Sequence, residues 1–198
     1  MDLLPLVFSS GWASGVNAYA AVLVMGLLGR FAGVDGVPEA LTRVDVLLAA
    51  GIMYGVEFVT DKVPYLDSAW DTISTAIRPT VGAIIGVLLA GGAGTSLDQA
   101  VYGVVGGGTA LVSHLVKASL RLAINSSPEP VTNSAVSVAE DFSVAGVVSL
   151  ALYHPWLALG VSAVLLVLGV IAVIVLFRYV RRGWQRWKGR RPAAPQTG

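Results

Sequence analysis

Asn133, Ser137, Glu140 and Asp141 fall at offsets 0, +4, +7 and +8, which is one face of a helix, within a stretch otherwise apolar enough for a bilayer. An acidic side chain at the centre of a membrane helix costs about 2.5–3.5 kcal/mol on insertion scales, and two adjacent ones cost more. Such a pair persists where it faces a partner, water or a bound cation; the bland alternative is a segment that dips only partway and leaves both carboxylates solvated. Ser14 and Asn17 sit in a milder version of the same pattern, between and beyond Gly11 and Gly15. A glycine-rich break carrying Ser and Asn exposes backbone groups to a cavity, as in transporter helices that build ion and substrate sites. Plain hydrogen bonding to neighbouring helices would need the same residues.

A second group of charges follows Thr60. From Leu66 two stripes run side by side: Leu66, Trp70, Ile73 and Ile77 are apolar, and Asp67, Asp71, Ser74 and Arg78 are polar. The pattern predicts an amphipathic helix lying in the membrane interface with Trp70 at headgroup level, stopped by Pro79. Asp67 and Asp71 repel at i,i+4 unless a cation stands between them. Asp61, Lys62, Arg78 and the stripe His114, Lys117, Arg121 supply an ion-pair network, either a salt-bridged cap or a gate whose pairs break and reform.

These groups need a scaffold, and the scaffold is a membrane one. Pro155 to Phe177 carries no charge over 23 residues and leads straight into RYVRRGWQRWKGRR. About 20 apolar residues at 1.5 Å rise cross a hydrocarbon core of about 30 Å, and the basic cluster marks a cytoplasmic end. The chain has 198 residues, 55% hydrophobic and 13% charged, too few charges for a soluble globular domain. It has no cysteine, which removes disulfide scaffolds, thiol catalysis and thiolate metal sites. Nothing implies a cofactor. The basic tail fits anionic lipid headgroups, at about 1 kcal/mol per residue near the surface, and not nucleic acid. MDLLPLVF lacks a basic n-region, so it is expected to be retained and not cleaved as a signal peptide.

Six hydrophobic segments emerge: 3–28, 44–59, 81–93, 97–116, 131–152 and 155–177. The predicted fold is all-α, a polytopic membrane helical bundle of about six spanning or partly re-entrant helices plus the interfacial helix. Threading six spans backward from the tail puts 11 of 13 basic residues on the cytoplasmic side, with Arg30 and Arg43 outside and both termini inside. Residues 1–191 form one transmembrane domain, and 192–198 is expected to be a disordered tail. Glycines four apart (11/15, 51/55, 82/86 and 103/107) let helices approach closely, within the bundle or across a homo-oligomer interface. Segments two and six are each followed by a Trp-bearing amphipathic stretch, and one and four are both glycine-rich, a weak sign of a degenerate internal repeat.

The run Asp61 to Ala83, DKVPYLDSAWDTISTAIRPTVGA, with Ser14 to Tyr19 before it and Asn125 to Asp141 after it, resembles a family of small bacterial membrane proteins catalogued as a domain of unknown function (family 4126). The resemblance covers roughly residues 8 to 180 and implies an all-helical inner-membrane protein; it supplies no substrate. Three functions compete. The leading expectation is a small transporter or channel for an ion or small polar solute, with Ser14, Asn17, Asn133, Ser137, Glu140 and Asp141 lining the path. The second is an accessory membrane subunit whose acidic pair docks a charged helix. The third is a lipid-phosphate enzyme holding a divalent metal on Asp61, Asp67 and Asp71, with Lys117 and Arg121 on phosphate.

Overall fold

In the computed structural model the described residues are 3–63, 66–91, 94–125 and 130–188, and the described side chains exclude those of 125, 130–133, 183 and 186–188. The tail at 192–198 therefore lies outside the described residues. The elements are all helical: α1 (Leu3–Val16), α2 (Ala18–Phe31), α3 (Glu39–Thr42), α4 (Val44–Thr60), α5 (Leu66–Ala90), α6 (Ser96–Asn125), α7 (Pro130–Tyr153) and α8 (Pro155–Lys188). Three stretches, Leu66–Ala90, Ser134–Tyr153 and Pro155–Arg182, are long and apolar enough to cross a membrane. The chain is an integral membrane protein. In α8 the apolar side chains are exposed nearly all round, so this helix faces lipid along most of its length.

Segment one is not a single helix. Asn17, at φ −151° and ψ 103°, divides it into two helices of 14 residues, about 21 Å each and too short for a hydrocarbon core. Neighbouring contacts give the helix directions. α1 runs with α6, since Gly11 abuts Gly106 and Gly15 abuts Ala110. α5 runs against α6, with Gly82 on Gly106 and Thr75 on His114. α4 runs with α6, because Glu57 meets Lys117 and Asp61 meets Arg121. α2 runs against α4: its start shares Asp141 with Tyr54, and Gly26 lies on Leu47. α1 and α2 are therefore a re-entrant pair that enters and leaves by the same end of the bundle. α8 runs with α1 and α6, since Ser162 meets Ser9 near the start of α1 and Gly169 meets Val116 beyond its end, and α8 finishes at the other end. The start of α1 and the basic end of α8 thus lie at opposite ends of the bundle.

The interfacial helix is a second correction. α5 runs unbroken from Leu66 through Pro79 to Ala90. Neighbouring helices in lipid compensate the bond that proline removes, and here α6 closes on the site because Gly107 has no side chain; a Cβ there would lie 3.1 Å from the Pro79 carbonyl oxygen. The two stripes exist as expected, but with reversed sense. Asp67, Asp71, Ser74 and Arg78 are buried in the bundle, and Leu66 and Ile73 face outward. Amphipathic periodicity fixes which residues share a face; only the solvent decides which face turns in, and here the solvent is lipid.

The seam between α1, α5 and α6 is backbone against backbone. A Cβ at Gly11 would stand 2.6 Å from the Gly106 carbonyl, and one at Gly82 2.8 Å from the same oxygen. By contrast, Gly51 and Gly55 of α4 have nothing within 4 Å of a built Cβ. The pairs 11/15, 82/86 and 103/107 are internal packing, which leaves the α4 pair 51/55 open outward.

Candidate functional site

The break at Asn17 frees backbone groups, and the side chains that answer them define the site. Ala18 to Ala20 no longer bond back to residues 14–16, so the last carbonyls of α1 lose their helical partners. The Lys117 ammonium donates to the Val16 carbonyl at 3.0 Å, and the Arg78 guanidinium reaches the Gly15 carbonyl at 3.4 Å. Two buried cations thus sit at the negative end of the α1 dipole. On the other side of the break, the Asn17 Oδ1 accepts from the Ala20 amide at 2.9 Å and caps α2. Its Nδ2 donates to Asp141 Oδ1 at 3.1 Å.

Around these cations the carboxylates gather. Arg78 donates to Glu57 Oε1 at 2.7 Å and stands 3.1 Å from Asp71 Oδ1. Arg121 grips Glu140 with two nitrogens, Nε at 3.2 Å and NH2 at 2.6 Å, the bidentate geometry that favours arginine. Arg121 also donates to the Asp61 carbonyl at 3.0 Å and lies 3.6 Å from Asp67 Oδ1. Lys117 bridges Glu140 at 3.1 Å and Asp61 at 3.3 Å. Arg78 and Arg121 are each 1% exposed, and Lys117 4%, so these are not loop charges. That undercuts the count of basic residues on the cytoplasmic side: three of its members are interior groups.

His114 has its tautomer set by geometry. Arg78 can only donate, so the Nδ1 atom 2.8 Å from it must accept, and the ring proton resides on Nε2. Nε2–H then donates to Thr75 Oγ1 at 2.9 Å, while that hydroxyl donates to the Asp71 carbonyl. The ring is neutral, a link in a chain of hydrogen bonds from Arg78 to Thr75.

The two groups of residues singled out in the sequence form one network. Lys117 and Arg121 contact Glu140 directly and bring in Asp61 and Asp67; Arg78 and Asp71 join through Glu57, which stands 3.7 Å from Lys117; and Asn17 with Asp141 adjoins them. Ser14 donates to the Arg78 carbonyl at 2.9 Å. Ser137 is buried, with no hydrogen-bond partner for its hydroxyl among the described residues. The side chain of Asn133 lies outside the described residues. Lys62 stands apart: its ammonium bonds the Phe58 carbonyl and rides on the Phe58 ring. Glu57 was missed; it sits in the apolar run of α4, and its one signal was the i,i+4 spacing to Asp61.

A family model described as "Domain of unknown function (DUF4126)" matches residues 4–175. The chain belongs to that family. No curated protein and no solved structure matches it. The match runs from α1 into α8, so every member of the network lies inside the DUF4126 domain, and the basic end of α8 lies beyond it.

Among the described residues of the domain, no three His, Asp or Glu groups converge as metal ligands. Asp61, Asp67 and Asp71 face arginine and lysine instead. A cleft of about 100 Å³ opens between α5 and α6, lined by Ser68, Asp71, Thr72 and Thr75, with room for a few waters. A larger groove of about 600 Å³ between α6, α7 and α8 reaches Arg121 and Glu140 past apolar walls.

Proposed function

We propose that the protein is a small membrane transporter or channel for an ion or small polar solute, with the buried network at the α1–α2 break as its coupling site. One observation carries the reading: five carboxylates pair with three buried cations, and a sixth, Asp141, adjoins them through Asn17, beside a re-entrant helix pair. Lys62 at the rim makes the balance six to four at most. Structural ion pairs need no such surplus, and intramembrane ionisable groups at broken helices mark ion and substrate routes. The positive-inside rule puts the basic end of α8 in the cytoplasm, held by anionic headgroups, and the network in the inner half of a bacterial inner membrane. That gives five crossings, α4 to α8, with α1 and α2 re-entering from outside.

The accessory-subunit reading asked for an acidic group awaiting a partner's charge. Glu140 already has two cations of its own chain. The open Gly51–Gly55 face leaves a homo-oligomer contact on α4 compatible with transport. The lipid-phosphate enzyme loses support because its three aspartates do not assemble.

The test is charge displacement by purified protein in liposomes on a solid-supported membrane, during rapid exchange of a panel of ions and small polar solutes. Wild-type protein gives a solute-dependent current, and Asp141→Asn reduces or abolishes it. Traces from wild type that match protein-free liposomes for the whole panel overturn the proposal.

A further inference from the structure

The surplus carboxylates are not spread evenly. Lys117 and Arg121 between them serve Asp61, Asp67 and Glu140, and Glu140 takes the shortest contacts. Arg78 faces both Glu57 and Asp71, and Glu57 has Lys117 as a second cation at 3.7 Å, so the ion pair of Asp71 is to a cation that Glu57 already holds. A carboxylate whose close cation is already held by a second acid does not stay ionised at low cost in a lipid-shielded site. Glu57 holds the better contact, a 2.7 Å charge-assisted hydrogen bond, and is fully buried. Asp71 has an ion pair at 3.1 Å but no hydrogen bond to either carboxylate oxygen among the described residues. Glu57 Oε2 likewise has none. Among the described residues, these oxygens do not converge with a third acid or histidine into a metal-ligand set. A cation that needs several ligands is poorly served here; a proton needs one oxygen.

Asp71 also has a way out. It lines the cleft between α5 and α6, with the hydroxyls of Ser68, Thr72 and Thr75 on the same wall. Glu57 is fully buried. The charged and titratable groups that face Asp71 are Glu57 and Asp61 from the α4 side, Asp67 and Arg78 from α5, His114 and Lys117 from α6, and Glu140 from α7. His114 is fixed neutral by its bond from Arg78, so it does not compete for the proton while that bond holds.

We infer that the Glu57–Arg78–Asp71 triad stores one exchangeable proton on Asp71, loaded and released through the α5–α6 cleft. The inference rests on the network being the coupling site, and names the proton as the coupled ion. Loss of the proton leaves Arg78 between two anions, so Arg78 shifts toward Asp71 and loosens its hold on Gly15 and His114. Protonation state is thereby tied to the end of α1.

Dicyclohexylcarbodiimide, which attacks protonated carboxyls in apolar surroundings, tests this on the full wild-type chain in detergent at neutral pH, with adducts mapped by mass spectrometry. The expected adduct is on Asp71, absent from Glu140 and lost as pH is raised. Modification confined to other carboxylates, or none at all, overturns the inference. Thr72→Phe, on the exposed rim of the cleft, should slow labelling of Asp71 several-fold; an unchanged rate removes the portal. Infrared titration adds a second readout: the protonated-carboxyl stretch disappears in Asp71→Asn, and its persistence there contradicts the assignment. Labelled Asp71 in a protein with no current in the solute panel would sink transport and leave the proton site. Solute-dependent current with an unlabelled Asp71 would do the reverse.

Discussion

At Gly11, α1 touches the backbone of α6; five residues later, at Val16, it touches the end of a lysine. The far half of the bundle is held by side chains that are missing, and the tail-ward half by side chains that are charged. Lipid explains the pairing. With no hydrophobic drive between helices, close backbone approach and buried polar contacts are the two remaining ways to hold them together. The glycine seam gives contact and no chemistry. The network instead gathers ionisable groups, with more acids than bases among the described residues.

Substitutions should separate the halves. The largest effect belongs to the seam: Gly86→Val drives a side chain into the Tyr102 backbone, which has no rotamer to move, and should abolish monodisperse protein on size exclusion. A folded Gly86→Val variant would mean the seam is looser than its contacts indicate. Next is Arg121→Ala, which strands Glu140 among buried groups and should cost about 3–5 kcal/mol, seen in a thermal or steric-trapping unfolding assay. Replacing the pair together, Arg121→Met with Glu140→Leu, should recover most of that stability while transport stays lost; recovery of transport as well would make the pair merely structural. Asn17→Ala removes the α2 cap and the Asp141 donor, at about 0.5–2 kcal/mol for the cap, with a larger loss in solute current than in stability. Smallest is Gly51→Ala, within about 0.5 kcal/mol, since no atom lies within reach of the new methyl; a marked shift in oligomeric state would instead locate an interface on α4.

How much of this was legible beforehand differs between the halves for physical reasons. The uncharged 23 residues of α8 announce a membrane helix without help from tertiary structure. The i,i+4 glycines announce close packing, but spacing does not say which pairs are used: Gly82 and Gly51 look alike in sequence and differ only in what lies opposite. Asp67, Asp71, Ser74 and Arg78 were grouped correctly on one stripe and turned outward, because the periodicity of a helix is blind to whether its surroundings are water or lipid. Charge counting puts Lys117 and Arg121 among the basic residues on the cytoplasmic side, because it assumes that basic residues lie outside the membrane. The fold breaks that assumption by giving them buried acids. Asn17 was noticed for its company of glycines, but the reversal of direction there depends on α2 packing against α4, a contact 20 to 40 residues away in sequence.

The most direct measurement is proton movement into pyranine-loaded liposomes under an imposed potassium diffusion potential. Wild-type protein should acidify or alkalinise the lumen according to the sign of the potential, faster than protein-free vesicles, and Asp71→Asn that remains folded should not. A wild-type trace equal to the protein-free trace at both polarities would contradict the claim that the buried acids carry protons across this bundle.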